Sequence, residues 1–236
     1  MMRTVSNTAK IAALILFAAL SGGCLYFQLP AAKSPRIVDN WHASYKVRVG
    51  FGHGSGVVLS ADGYILTAAH VVTADPIIDV QIQTASNHWE TRGARVVVVD
   101  HEYDLAVIKA DGRFEDVAIL GDFRHIEPGD WVYAIGYPYE LEEVVSRGYV
   151  LKANVNFTSA TTGQKVKNAI LLDMFSGPGA SGEGVFAERD GRLIGLIIGH
   201  LPLEGPPAPP YQVRWAASVG DIRWLLDRQG VPYLHD

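Results

Sequence analysis

The sequence predicts an all-β protein of antiparallel strands, closed by one short C-terminal helix. Short apolar or alternating runs recur between turn signals from residue 45 onward, and helical periodicity is nearly absent before residue 218. With 236 residues, 48% of them hydrophobic and 19% charged, the chain can bury a substantial core as one large β domain or two small packed lobes.

Taken in order, Tyr45 to Val49 alternates and the Gly52-His53-Gly54-Ser55-Gly56 tract allows a tight bend. Val57-Val58-Leu59 resumes as a strand up to the hairpin turn Ala61-Asp62-Gly63. The glycine tract lacks a Gly-Lys-Ser/Thr ending and opens no helix, so it is not a phosphate loop; it fits the paired strands of a β-barrel lobe. Tyr64 to Thr67 then leads into Ala68-Ala69-His70-Val71-Val72, Asp79 to Gln83 alternates, and Arg95 to Asp100 is a buried strand running into Asp104-Leu105-Ala106-Val107-Ile108-Lys109. The polar, turn-rich stretch from Gly121 to Asp130 marks the crossing from a first lobe to a second. Further strands follow at Trp131 to Ile135, Val144 to Asn156 and Ala169 to Met174, with a polar loop over Thr158 to Lys167. Leu201 to Tyr211 is Pro-rich and reads as a stiff surface loop. Gln212 to Ala216 is a last strand; Ser218 as cap, Ile222, Leu225 and Leu226 on one face and Gly230 as stop make the helix.

The net charge of −5, with the twenty Lys and Arg scattered, gives no field for gathering phosphates and argues against nucleic acid as a partner. The one cysteine, Cys24, excludes a disulfide within the chain and any multi-cysteine metal site. It closes a segment built like an export signal, with Arg3 and Lys10, an apolar run from Ile11 to Leu20, then Ser21-Gly22-Gly23. Those small residues resemble a bacterial lipobox, in which the thiol is acylated, although Ser21 stands where an aliphatic residue is usual. An uncleaved anchor reaching about residue 29, at about the 20 residues a bilayer requires, and a cleaved secretory signal are the alternatives. Each places the remainder outside the cytoplasm, in the cell envelope or periplasm, tethered to the membrane in the first two cases.

Gly177-Pro178-Gly179-Ala180-Ser181-Gly182-Glu183-Gly184 holds one hydroxyl among glycines. Alone it reads as a surface loop, but it also suits a nucleophile that a substrate carbonyl must approach closely, provided a base and oxyanion donors are supplied elsewhere. Gly54 to Leu59 followed by Asp62-Gly63-Tyr64-Ile65-Leu66-Thr67-Ala68-Ala69-His70-Val71-Val72 resembles the histidine region of trypsin-like serine peptidases, in particular their disulfide-free HtrA-type branch. Asp104 to Lys109 resembles that family's acidic region, and Pro128-Gly129-Asp130 with Gly136-Tyr137-Pro138 resembles the HtrA-type pattern. The order His, Asp, Ser is the trypsin-like one.

The resemblance implies two antiparallel six-stranded β-barrel lobes. It implies a general base at His70, an orienting carboxylate at Asp104, a nucleophile at Ser181 and oxyanion donors in the backbone N–H groups of Gly179 and Ser181. Partial burial would let Asp104 hold one tautomer of His70. The other seven histidines, among them His53 and His200, read as ordinary surface or core residues. By analogy the substrate pocket is lined by Met174-Phe175-Ser176 and by Leu193 to Gly199, so Phe175, Ile197 and Ile198 are candidate contacts. No acid lies there, which disfavours cleavage after Lys or Arg and points to a small or medium apolar residue; His200 is a candidate contact that would favour acidic substrates. Ala180 and Glu183 depart from the family pattern, and Glu183 is expected to face solvent.

The expectation is therefore an exported serine endopeptidase acting on proteins or peptides, without metal or organic cofactor and with no PDZ-like domain following. The alternative is a catalytically silent trypsin-like domain that binds protein segments. The expected organisation is an export segment at 1–24, a linker at 25–44 and a peptidase domain at 45–236. Its first lobe would span about 45–125, its second about 126–217 and its helix about 218–229.

Overall fold

Strands whose alternate side chains are apolar must bury one face, and here they do so by closing on themselves twice. The computed structural model describes residues 35–72, 78–83, 89–159, 163, 165–201 and 213–235. The first barrel is formed by β1 (Ser44–Val49), β2 (Gly52–Val58), β3 (Tyr64–Ala68), β4 (Ile78–Gln83), β5 (Trp89–Asp100) and β6 (Leu105–Ala110), in the order β1-β2-β3-β6-β5-β4. The second is formed by β7 (Trp131–Gly136), β8 (Val144–Thr158), β9 (Lys165–Met174), β10 (Gly184–Ala187), β11 (Leu193–Leu201) and β12 (Val213–Ser218), in the order β10-β11-β12-β9-β8-β7. Every strand pair is antiparallel. Closure leaves no free sheet edge in either barrel, which suits a chain with a single thiol. The two six-stranded antiparallel lobes and the terminal helix agree with the fold expected from the sequence.

Val47, Ile65, Val80 and Ile108 fill the first barrel, while Val57, Leu59 and Leu66 join Ile135, Val185 and Leu196 in one apolar cluster that runs from lobe to lobe. At ~25 cal/mol per Å² of apolar surface removed from water, burial of this kind is the main force holding the lobes together. The C-terminal helix α3 (Val219–Gln229) packs Ile222, Leu225 and Leu226 inward. Ser218 Oγ accepts the Asp221 N–H at 3.3 Å, and Gly230 ends the helix at φ 64°, a left-handed cap as the sequence predicts.

Two elements differ from expectation. Residues 35–41, expected within a linker, form a helix, α1 (Pro35–Trp41). Its Asn40 amide reaches the Tyr133 hydroxyl at 2.8 Å and the Gly191 carbonyl at 2.6 Å, bonds of long sequence separation that local pattern does not register. The Gly52–Gly56 tract makes no bend: it is the body of β2, paired with β1 from Ser44↔Val57 to Val49↔Gly52, in keeping with the paired barrel strands its sequence fits. Its glycines serve close approach: a Cβ at Gly54 would lie 2.8 Å from the carbonyl oxygen of Ser181 and 2.7 Å from Val71. The export segment with Cys24, the first half of the linker, part of the 158–167 loop and the Pro-rich segment beyond Leu201 lie outside the described residues.

Candidate active site

Register brings His70 and Asp104 together. Pairing of β3 with β6 sets Ala68 opposite Leu105, so the residue after β3 and the residue before β6 are neighbours, and Ala69 N–H donates to the Asp104 carbonyl at 3.0 Å. A one-residue slip would send the carboxylate to the other face of the sheet. The single turn α2 (Ala69–Val72) then presents His70. Asp104 adopts φ 55°, left-handed for a non-glycine residue, and is buried to 9% exposure. Its carboxylate accepts twice from His70, at 2.9 Å from the backbone N–H and at 2.6 Å from Nδ1. A carboxylate can only accept, so Nδ1 carries the hydrogen and the lone pair lies on Nε2 of a ring left half exposed.

Ser181 comes from the second lobe, in the loop before β10, and is pinned to the first by Ser55. The Ser55 N–H donates to the Ser181 carbonyl at 2.8 Å, and its hydroxyl donates to the Gly179 carbonyl at 2.9 Å while accepting the Tyr137 N–H at 3.0 Å. Its own carbonyl accepts from the Thr67 hydroxyl at 2.7 Å. Ser55 is fully buried and every polar group it carries is used.

The loop itself turns at Pro178-Gly179, where Ala180 N–H closes onto the Gly177 carbonyl at 2.9 Å with Gly179 at φ 92°. Proline followed by a positive-φ glycine is the signature of a type II turn. The Pro178 carbonyl is held by Tyr139 N–H at 2.6 Å, so across the planar trans peptide the Gly179 N–H points the opposite way. Ala180, Gly182 and Glu183 donate within or behind the loop; the N–H groups of Gly179 and Ser181 are not among these donors. Behind the turn His53, read from sequence as an ordinary residue, places Nε2 at 2.8 Å from the Tyr137 carbonyl and Nδ1 at 2.6 Å from Glu140, which also pairs with Lys46 at 2.7 Å.

A cavity of about 430 Å³ opens beside Ser181. Ser176 to Pro178 form one side and Ile197 to His200, at the end of β11, form the other. Of the residues expected as substrate contacts, Ile197, Ile198 and His200 line this cavity. Phe175 does not: it is 54% exposed and lines an adjoining depression with Met174 and Tyr149. The cavity also takes Arg214, from β12, which the sequence reading missed; the available signal was one cation inside the otherwise apolar run Val213-Arg214-Trp215-Ala216-Ala217.

Glu183 corrects a second expectation. It is 1% exposed rather than solvated, with its side chain against Gly136 and both carboxyl oxygens lacking a hydrogen-bond partner. Burial pushes its pKa up from 4.5 to about 8, opposed only in part by the positive charge of Arg214. Among the described residues no group of three or more His, Cys, Asp or Glu is placed to hold a metal ion.

Two closed six-stranded antiparallel barrels, the first carrying His70 held by Asp104 and the second carrying Ser181 in a glycine-rich loop, have the architecture of the trypsin-like class of protein. The chain belongs to the trypsin-like peptidase domain family, which its residues 54–196 match. It is 34% identical over 154 residues to Serine protease HTRA1 of Xenopus laevis, covering 64% of this chain and 32% of that protein. It is 33% identical over 144 residues to the "Probable periplasmic serine endoprotease DegP-like" of Pseudomonas putida, covering 61% of this chain and 28% of that one. The chain thus matches about a third or less of the length of these relatives. The serine endoprotease of Yersinia pestis superposes with a TM-score of 0.68 at 25% identity, over 86% of this chain and 68% of the other.

Two outcomes are expected. Ser55→Ala leaves the Gly179 carbonyl and Tyr137 N–H without their buried partner and lowers stability by about 1–3 kcal/mol in urea denaturation; an unchanged midpoint would remove Ser55 as the pin. For Glu183, the folded chain keeps between pH 4.5 and about 8 a proton that the unfolded chain releases. Its contribution to stability is complete below 4.5 and falls away as pH rises through about 8. Glu183→Gln removes that slope, so its melting temperature gains on the wild type between pH 5 and 8, whereas parallel profiles would refute the assignment. Glu143, which burial pushes up to about 9, contributes the same sign in both chains and cancels.

Proposed function

We propose that this chain is an exported serine endopeptidase that hydrolyses peptide bonds through an acyl-enzyme. The observation that carries the reading is the two-point hold of Asp104 on His70, 2.6 Å to Nδ1 and 2.9 Å to the backbone N–H; on the second lobe Ser181 lines a cavity that a substrate side chain can enter. Fixing the ring at Nδ1 aims the basic lone pair of Nε2 outward, as a general base requires. Family membership, and relatives named as serine proteases, support the same chemistry.

In this reading the Ser181 hydroxyl attacks the substrate carbonyl and passes its proton to Nε2 of His70. Asp104 stabilises the imidazolium and takes no proton itself. The carbonyl oxygen, now an oxyanion, is met by the N–H groups of Gly179 and Ser181. Collapse breaks the C–N bond, His70 returns the proton to the departing amine, and Ser181 is left as an ester. Water then attacks the ester carbonyl by the same route, giving a proton to His70; collapse breaks the acyl C–O bond to Ser181, His70 returns the proton to the serine oxygen, and the acid is released.

The domain reading follows: an export segment at 1–24, acylated at Cys24, ahead of a peptidase domain whose lobes span about 45–125 and 126–217 and whose helix spans about 218–229. The periplasmic assignment in the name of the Pseudomonas relative supports export. No helix among the described residues is long and apolar enough to cross a membrane.

A fluorophosphonate probe tests the site. Wild type is expected to be labelled and Ser181→Ala not, with His70→Ala abolishing turnover and Asp104→Asn lowering kcat by roughly 10³- to 10⁴-fold. Folded wild-type chain that resists the probe would sink the enzyme reading and leave a binding module in its place.

A further inference from the structure

We propose that Arg214 makes the cavity beside Ser181 a receptor for an acidic side chain, so that this chain cleaves after Glu or Asp rather than after an apolar residue. The inference rests on the peptidase reading above and names its substrate class.

The register His200↔Arg214 between β11 and β12 carries the arginine to the strand forming one side of the cavity. The residue is 8% exposed, yet its charge has no counter-ion: among the described residues it makes no ion pair. One Nη2 hydrogen goes to the Ser176 carbonyl, and Nε is buried without an acceptor. Five N–H donors in a planar fork are poorly served by one neutral carbonyl.

Neighbouring acids among the described residues do not supply the missing charge. Glu183 is the nearest in effect, but its oxygens have no hydrogen-bond partner, and burial keeps the group largely protonated at neutral pH. Asp173, in the adjoining depression that Arg214 also borders, accepts from the Tyr149 hydroxyl at 2.7 Å and makes no ion pair with the arginine. A buried cation without an anionic partner is unfavourable until an anion arrives, and a carboxylate matches the geometry of a guanidinium. His200, exposed at the cavity, adds a second group able to donate. The rest of that side, Ile197 and Ile198, offers apolar surface to the methylenes of the same side chain. An apolar residue, expected from sequence when only the segments flanking the cavity were considered, would instead cover the guanidinium and pair nothing with it.

Peptides identical except for Glu, Gln, Leu or Lys before the cleaved bond test this directly. Glu is expected to exceed Gln by roughly tenfold or more in kcat/KM, because the two differ only in charge. Arg214→Leu should bring the Glu/Gln ratio close to one, and Arg214→Lys should keep part of it, each rate being normalised to the fraction of chain that a fluorophosphonate labels at Ser181. Should Arg214→Leu fail to fold, binding of product peptides to Ser181→Ala gives the same comparison with the arginine intact, and a peptide ending in Glu is expected to bind roughly tenfold or more tighter than one ending in Gln. Labelled, active enzyme that cleaves after Gln or Leu as well as after Glu overturns the pocket assignment and leaves the peptidase standing. An unlabelled chain whose Ser181→Ala form still selects the Glu-ended peptide overturns the peptidase and leaves the acidic pocket standing.

Discussion

The hydrogen bonds of one buried serine, Ser55, join the two barrels at the loop that carries Ser181. Ser55 lies on β2 of the first lobe, yet two of its bonds end on the Gly179 and Ser181 carbonyls and a third on Tyr137 N–H, all in the second. Such bonds form only if the strands approach closely, and that approach exists because neighbouring Gly54 has no side chain where Ser181 O and Val71 lie. Apolar burial supplies most of the attraction between lobes but is indifferent to direction. Direction comes from these few polar contacts, which set the segment around Ser181 relative to β2 and, one strand further, relative to the turn bearing His70.

This division explains what was legible in the sequence. The segments around His70, Asp104 and Ser181 could be read because each is local: a strand followed by a turn, an acid at the mouth of an apolar strand, a hydroxyl among glycines. The barrels were legible through alternation, and α3 through Ser218 and Gly230. The Gly52–Gly56 tract fits paired barrel strands, as found, but the bend it also allows does not form: glycine at a turn and glycine under another backbone look alike in one dimension, and only the position of Ser181 distinguishes them. Helix α1 escaped notice because it is secured by Asn40 bonds to residues about 93 and 151 positions away. Glu183 was assigned to solvent by its charge, the usual reading of a carboxylate in a loop, and tertiary packing overrode it. Arg214 is not legible as a cavity residue because the cavity is built from strands distant in sequence, and β12 lies apart from the segments that flank Ser181.

The ionisable groups near the cavity are not arranged for stability. Glu183 has two buried oxygens without hydrogen bonds and Arg214 a buried Nε without one, although the two charges sense one another. A tight pair between them would satisfy both and also cancel the positive potential beside Ser181. Keeping them apart, with the acid largely protonated at neutral pH, leaves that potential available to a ligand. Unsatisfied buried groups of this kind are where a fold gives up stability for function.

The same reasoning applies to the backbone of the Tyr137–Glu140 turn. Tyr139 and Glu140 hold φ of 56° and 58°, conformations that cost non-glycine residues of order 1–3 kcal/mol each. Something must hold them there: Glu140 crosses to Lys46 of β1 and His53 of β2 in the first lobe, and Tyr139 N–H is bonded to Pro178 O within the second. The Tyr139 bond is also the one that turns the Gly179 N–H away from Tyr139. Remove the first lobe and the turn loses the charges that keep it strained, so the 178–179 peptide loses the support that fixes its orientation. Closing the two barrels on one another and aiming the proposed oxyanion donor are therefore a single structural event, in which the lobe that carries His70 also sets the amide that would work beside it.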